Sequence, residues 1–575
     1  MAEKSLCFVT FSSLKRISYP ILFYSAQLTF LPYDPVMRKI ILLLAFVSFA
    51  LSGHAQLGAD TVAKIEALFT RYKATNPGAQ LAISRNGQTL FSKAWGMGDL
   101  EHPTALTTSS PVEAGSVSKQ FTAAAILLLE QEGKLSLSDD VRKHVPELPP
   151  YGTTVTLRHM MQHTSGLKDW GVIAAIAGWP RGTKTYTNED ALHIASLQPT
   201  LNHLPGDEYI YSNTNYNLFA VIVERVSGKT LAEYTKEKIF EPAGMSRTQW
   251  RADYRKVVPD RAIAYSKAST GYLTNMPNEY VYGNGGLLTT AEDLLKWNDF
   301  YLSGKFGNPS LLQKQLSTTA FNNGVMHTYA AGLFVTIYKG WQLVTHDGAT
   351  AGYRASLDYF PELGLSIAWL SNTAEFDREA PLAQLIRDVF LPKKALSQSP
   401  APAHYAMDEK GMAGYAGWYK NSRTNGGLKL YTDKGKFYAT GVGEIRPVEE
   451  NVFMIGNNRF EMTRGKHRGI LFISSAKDSL YFTAVDSFAT GEKLDQYAGN
   501  YYSAEAMVAY ELKLKDGKLI ALVKPKTEME LTPTFRDGFN FSQGTIYFER
   551  GKNKKIEGFK ISSGRARHVA FKRVG

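Results

Sequence analysis

Cysteine is nearly absent. The 575 residues contain one, Cys7, and a single thiol excludes an intramolecular disulfide framework, a cysteine-rich zinc module and an iron–sulfur cluster. Long apolar runs are scarce too. The stretch Ile40 to Leu51, broken only by Ser48, would rise about 18 Å as a helix, short of a bilayer core of roughly 30 Å. No segment reads as a nucleotide loop or a dinucleotide fingerprint. Charged residues make up 21% and apolar residues 44%, ordinary globular usage that excludes a disordered chain and a fibrous repeat.

What is present begins with a leader. Met37-Arg38-Lys39, the apolar run and Ser52-Gly53-His54-Ala55 read as a charged start, a hydrophobic core and a small-residue cleavage site, a secretory signal. Residues 1–36 then read as an upstream extension or a misassigned start, since a workable signal begins at Met37, and 1–55 is expected to be extension plus signal peptide. A retained signal-anchor is the competing reading, and the short run argues against it. The expectation is a periplasmic or secreted protein without a stable membrane span after signal removal. The formal charge is +12, and Arg550 to Arg573 holds nine Lys or Arg against Glu557 alone. Those charges alternate with apolar residues as on solvated strand faces, so no nucleic-acid partner is expected.

Periodicity predicts a first helix near Val62 to Tyr72, capped by Asp60 or Thr61. Arg85-Asn86-Gly87 joins Ala79–Ser84 to Gln88–Trp95 as a hairpin, because Asn-Gly supports the positive φ of a tight turn. Further helices are predicted from Ser116 to Glu132, over Leu157 to Gln162, over Asn217 to Val226, and over Ala291 to Leu302 with Thr290 and Asp293 as a capping-box variant. Strands follow at Leu343–Thr345, Ser356–Phe360 and Leu365–Ser371. The fold class is α+β, one antiparallel sheet packed against helices. Ser397 to Pro402 has linker composition. Beyond it the sequence repeats: Tyr415-Ala416-Gly417-Trp418-Tyr419 returns as Tyr497-Ala498-Gly499-Asn500-Tyr501, Leu428-Lys429-Leu430 as Leu512-Lys513-Leu514, Pro447 with Phe453 as Pro533 with Phe539, and Gly469 as Gly558. A period of 82 to 89 residues is too long for a solenoid and fits two small antiparallel β-barrels. The expected organisation is 56–395, a linker 396–407, and barrels over 408–490 and 491–575.

Ser116-Val117-Ser118-Lys119 opens the long apolar helix. Serine and lysine three apart share a helical face, and a desolvated lysine can take the proton that keeps a serine hydroxyl a poor nucleophile. A helix N-terminus also favours an oxyanion. The spacing recurs at Ser12–Lys15, Ser165–Lys168 and Ser474–Lys477, so the buried-looking helix singles out Ser116. In Tyr211-Ser212-Asn213, the phenol could relay protons and the amide could bond lysine and substrate. In His346-Asp347-Gly348, Gly348 would admit substrate to the backbone and the Ala349 N–H could complete an oxyanion hole.

In this order the three motifs resemble the penicillin-recognising serine hydrolases of the class C β-lactamase type, which include D-alanyl-D-alanine peptidases, D-aminopeptidases and esterases. The resemblance spans about residues 60–390 and includes His163 to Leu167, Gly283 to Leu287 and Gly352-Tyr353. It implies a β-lactamase/transpeptidase-like domain followed by lipocalin-like barrels, one of which can lend a loop to the cleft. It implies Ser116 as the acylated nucleophile, Lys119 and Tyr211 as the base pair, Asn213 as an orienting group, and no cofactor or metal. Many relatives acting on a free carboxylate carry lysine-threonine-glycine where this chain has His346-Asp347-Gly348. Histidine, with a pKa near 6.5, is mostly neutral there, so the site reads as less suited to clamping a carboxylate; His346 as a structural hydrogen-bonder is the plainer alternative. D-aminopeptidases of the family resemble this chain in that histidine and in two barrels.

His159 and His163 have a metal-pair spacing but no intervening Glu, and a hydrogen-bonded role is favoured. The expectation is an exported hydrolase forming an acyl-enzyme with a small peptide of the D-amino-acid or peptidoglycan type. The alternatives are an esterase or β-lactamase and, in another class, a non-catalytic binding or sensor module.

Overall fold

The computed structural model describes residues 57–575 except 305–307, 378–380, 395–404, 466, 476–477, 490 and 524–526. The leader, Cys7 and most of the expected linker lie outside the described residues.

Six strands form the central sheet: β1 (Ala79–Arg85), β2 (Gln88–Trp95), β3 (Phe334–Tyr338), β4 (Trp341–Thr350), β5 (Tyr353–Phe360) and β6 (Leu365–Ser371), antiparallel in the order β3-β4-β5-β6-β1-β2. The β1–β2 turn has Asn86 at φ 52° and Gly87 at φ 80°, the two positive values an Asn-Gly hairpin supplies at little cost. Every residue of β6 is buried, as a central strand covered on both faces requires. One face packs Leu81, Ile83, Ile367 and Trp369 on helix α1 (Ala59–Phe69) through Ile65 and Phe69, and on Leu382 and Ile386 of the helix Leu382–Phe390. The other face joins the larger core around helices α2 (Lys119–Gln131) and α3 (Asn213–Ser227).

Several elements differ from expectation for local reasons. Neither Asp60 nor Thr61 caps α1; the Gly58 carbonyl accepts from the Thr61 and Val62 amides at 2.9 and 3.1 Å. Ser116 lies in a tight 3-10 turn, Gly115–Ser118, and α2 starts at Lys119. Gly115 has φ +50°, and the Ser118 hydroxyl is tied to the Gly115 carbonyl at 2.5 Å and accepts from the Leu287 amide at 3.1 Å. α3 starts four residues early because its cap comes from far away: Asp169 accepts from the Asn213 amide at 2.7 Å, while Ser212 makes no capping bond. The helix after Thr290 is α only to Trp297 and then takes a π turn, Asn298–Leu302, where the Asn298 side chain reaches the Asp358 carbonyl at 2.9 Å.

The C-terminal region contains two β structures related as the repeat predicts. The second is a closed eight-stranded antiparallel barrel. The first is a nine-stranded sheet whose end strands, Gly443–Glu444 and Arg446–Glu449, are separated by buried Ile445 alone, so it curls almost shut. Pro447 pairs with Phe453 and Pro533 with Phe539, each beside a register shift. The Tyr419 hydroxyl donates to the Tyr415 carbonyl at 2.6 Å, and that of Tyr501 to the Tyr497 carbonyl at 2.9 Å.

The second barrel is docked by apolar and polar contacts. Ile173 and Ile176 of a short helix, Trp170–Ile176, enter its core cluster. Lys168, with no side-chain exposure, pairs with Glu505 at 2.7 Å, and Tyr510 donates to the Ile176 carbonyl at 2.7 Å. Among the described residues no helix is long and apolar enough to cross a membrane.

Candidate active site

Ser116, Tyr211, Asn213, His346, Gly348 and Ala349 line one cavity of about 440 Å³, and Lys119 reaches it from α2. The Lys119 ammonium is fully buried and donates to Ser116 Oγ at 3.2 Å, to Asn213 Oδ1 at 3.1 Å and to the Asn284 carbonyl. The glycine-rich segment thus contributes a backbone acceptor, and Asn284 is itself held by the Asn217 amide at 2.8 Å. Burial drives the Lys119 pKa well below the usual lysine value; the positive charges of Arg181 and Arg565 push the same way, and Asp169 opposes them.

Asp169 has no counterpart in the sequence reading. One of its oxygens accepts from both the backbone amide and the side-chain amide of Asn213, at 2.7 and 2.9 Å. With its NH2 group committed there, Asn213 turns its oxygen toward Lys119. The same carboxylate caps the Trp170–Ile176 helix by accepting from Val172.

Tyr211 is packed between Lys119 and Arg565, each 4.8 Å from its ring centre, with the His163 ring at 4.2 Å. Its hydroxyl is out of solvent and, among the described residues, has no hydrogen bond of ordinary geometry. Burial raises its pKa, with Ser116 and Arg565 opposing the rise. Tyr211 therefore stays a phenol at neutral pH. His163, at φ +57°, accepts at Nδ1 from the Ser212 amide at 3.2 Å and meets the Asn215 amide at 3.1 Å. His159 instead caps its own helix with Thr156, so the two histidines do not form a metal pair.

His346 is buried, and both ring nitrogens are engaged. Nδ1 is 2.6 Å from the Asp347 carbonyl, which fixes it as the donor, and Nε2 accepts from the Tyr329 hydroxyl at 3.1 Å. Burial, reinforced by Lys119, pushes its pKa down to about 3. A neutral ring with no free nitrogen has no charge to offer a substrate. Gly348 lines the cavity and has a packing role as well: a Cβ there would stand 2.0 Å from the Ala114 carbonyl oxygen, so glycine lets β4 pack under the turn that carries Ser116. The Ala349 amide nitrogen lies 2.7 Å from where a Cβ on Gly115 would be, beside the residue that precedes the serine.

The cations of the cavity are arginines that sequence reasoning did not select: Arg181, Arg354 and Arg565. Arg181 is paired with buried Glu279, and Arg354 donates to the Ala351 and Tyr353 carbonyls. Arg565 sits in the turn between strands Ile556–Ser563 and Ala566–Val574 of the closed barrel. Its only trace in the sequence is the basic C-terminal stretch.

Residues 65–390 match the family model described as Beta-lactamase. The chain is similar to a penicillin-binding protein of Bacillus subtilis, 30% identical over 51% of this chain and 67% of the relative. It is similar to a D-aminopeptidase of Cereibacter sphaeroides, 26% identical over 65% of this chain and 70% of the relative. Across such relatives the aligned part spans 57% to 70% of their length. Its fold is like that in a crystal structure of SurE, with a TM-score of 0.50 at 18% identity over 90% of this chain and 98% of that one.

Proposed function

The chain belongs to the beta-lactamase family, and from that premise we propose an exported serine hydrolase that cleaves amide or ester bonds through an acyl-enzyme on Ser116, with peptides of the D-amino-acid or peptidoglycan type as substrates. The observation that carries this reading is the 3.2 Å hydrogen bond from buried Lys119 to Ser116. In its neutral form, which burial favours, Lys119 accepts the Ser116 proton along this contact, and Oγ attacks the substrate carbonyl carbon. As that bond forms, the carbonyl π electrons move to oxygen. Collapse breaks the bond to the leaving nitrogen or oxygen, which takes a proton relayed from Lys119 through the Tyr211 phenol. Water then attacks the ester, gives its proton to the same pair and restores Ser116. In this reading the Ala349 amide, on the cavity wall, donates to the developing oxyanion. The D-aminopeptidases among the relatives support the substrate class, and Met37 to Ala55 supports export.

The test combines labelling by a neutral fluorophosphonate with a panel of D-alanyl anilide, D-Ala-D-Ala peptide, a chromogenic cephalosporin and short-chain esters. Label on Ser116 and loss of all turnover in Ser116→Ala are expected. Hydrolysis surviving in that variant sinks the assignment, and wild-type protein that neither labels nor turns over points to a binding module.

A further inference from the structure

Three features of the cavity bear on which substrates it takes. The third motif supplies no cation, because His346 is neutral and engaged at both nitrogens. Two of the three arginines are already committed, Arg181 to the Glu279 carboxylate and Arg354 to backbone carbonyls. Arg565 differs. It is exposed to the cavity and has no carboxylate partner among the described residues; its guanidinium lies over the Tyr211 ring. Its backbone, by contrast, is fixed. The Arg565 carbonyl accepts from the Asp169 amide at 3.0 Å and from the Asn202 side chain at 3.1 Å. Two residues on, Arg567 pairs with Glu208 at 2.9 Å. The turn thus holds a pre-positioned guanidinium, and its fork of N–H donors matches a carboxylate. Asp347, the acid on the cavity wall, points largely to solvent and lies 3.7 Å from Arg387.

We propose that Arg565, brought by the second barrel, is a specificity-determining residue that clamps a carboxylate of the substrate beside the scissile bond. The cavity then prefers acyl donors with a free carboxylate on the leaving group, as at a peptide C-terminus, over their neutral counterparts. It disfavours a free ammonium at the same place. The inference rests on the reading of Ser116 as the acylated nucleophile and narrows its substrate class.

The test uses two thioesters with one acyl group: N-benzoylglycyl-thioglycolate, which has a free carboxylate on the leaving group, and its carboxamide. The readout is the ratio of their kcat/KM values. A change to Arg565 also disturbs Tyr211 and Lys119, and that disturbance acts on both substrates and cancels in the ratio. The full-length protein should favour the carboxylate by roughly tenfold or more, as a charge-assisted hydrogen bond gives. Arg565→Ala should bring the ratio near one, Arg565→Lys should restore part of it, and Arg565→Glu should invert it. Added salt should lower the wild-type ratio. A wild-type ratio near one, or one that Arg565→Ala leaves unchanged, overturns the clamp. If Ser116 still takes the neutral fluorophosphonate in that case, the clamp alone has failed. If Ser116 neither labels nor acts on either thioester, the reading beneath it has failed and the clamp falls with it.

Discussion

Asn213 gives its backbone amide and its side-chain amide to one oxygen of Asp169. A helix start and the orientation of a side chain beside Lys119 therefore depend on one carboxylate. Asp169→Ala removes both, together with the cap of the Trp170–Ile176 helix. The variant should lose about 2–3 kcal/mol in urea denaturation, from a lost cap and unpaired buried amides. Phosphonate labelling of Ser116 should slow roughly tenfold or more as Asn213 loses its orientation.

The base role proposed for Lys119 makes the pH profile directional. Lysine must be neutral to accept a proton, so acylation should rise with pH through a pKa below that of an ordinary lysine. Arg181 lowers that pKa and Asp169 raises it. Arg181→Gln should shift the rising limb to higher pH and Asp169→Asn to lower pH. Shifts of the same sign in both variants would refute the assignment. Lys119→Met should lower the acylation rate by about 10²- to 10⁴-fold.

His346 should contribute no limb near pH 6.5, because its folded pKa is about 3. It does matter for stability. Between pH 6.5 and 3 the unfolded chain binds a proton that the folded chain refuses, so stability is full above pH 6.5 and falls as pH drops toward 3. The whole contribution is roughly 4–5 kcal/mol. Urea midpoints measured against pH should fall less steeply over that range in His346→Gln than in the parent.

The pair Lys168–Glu505 joins the segment before Asp169 to the second barrel with Lys168 wholly out of solvent. Glu505→Gln strands a buried ammonium and should cost about 3–5 kcal/mol. Removing both charges with Lys168→Met and Glu505→Leu should cost less than Glu505→Gln. Calorimetry of the single and double variants separates these outcomes.

Gly348→Ala should destabilise the protein by about 1–3 kcal/mol, because the new methyl meets the Ala114 carbonyl, a backbone atom that cannot swing aside. Activity should fall with it, since Ala114 leads into the turn that carries Ser116. Unchanged melting in this variant would contradict the packing role.

What the sequence disclosed follows the range of the interactions. The Asn86-Gly87 turn and the apolar run Leu365–Ser371 were readable because a dihedral preference and a strand's burial are written in adjacent residues. The matched pairs Pro447–Phe453 and Pro533–Phe539 were readable because the chain states them twice. Asp169, Tyr329 and Arg565 were not. Asp169 and Arg565 act through partners far along the chain, and nothing beside Asp169 announces that it caps a helix 44 residues later; Tyr329 meets His346, 17 residues on, only through the pairing of β3 with β4. The tight turn at Ser116 was hidden for a related reason: the Ser118 hydroxyl that ties it to the Gly115 carbonyl is itself held by the Leu287 amide, 169 positions on.

The turn that holds Arg565 also bears on the order of assembly. Asn202 and Arg565 are 363 positions apart, and the Asn202 side chain holds the backbone carbonyl of this cavity residue. A ribosome emits the serine, the lysine and the tyrosine long before that turn. Throughout synthesis the proposed nucleophile is present while one wall of its chamber is still to be made, so the selectivity proposed for Arg565 would arrive later than the reactive group.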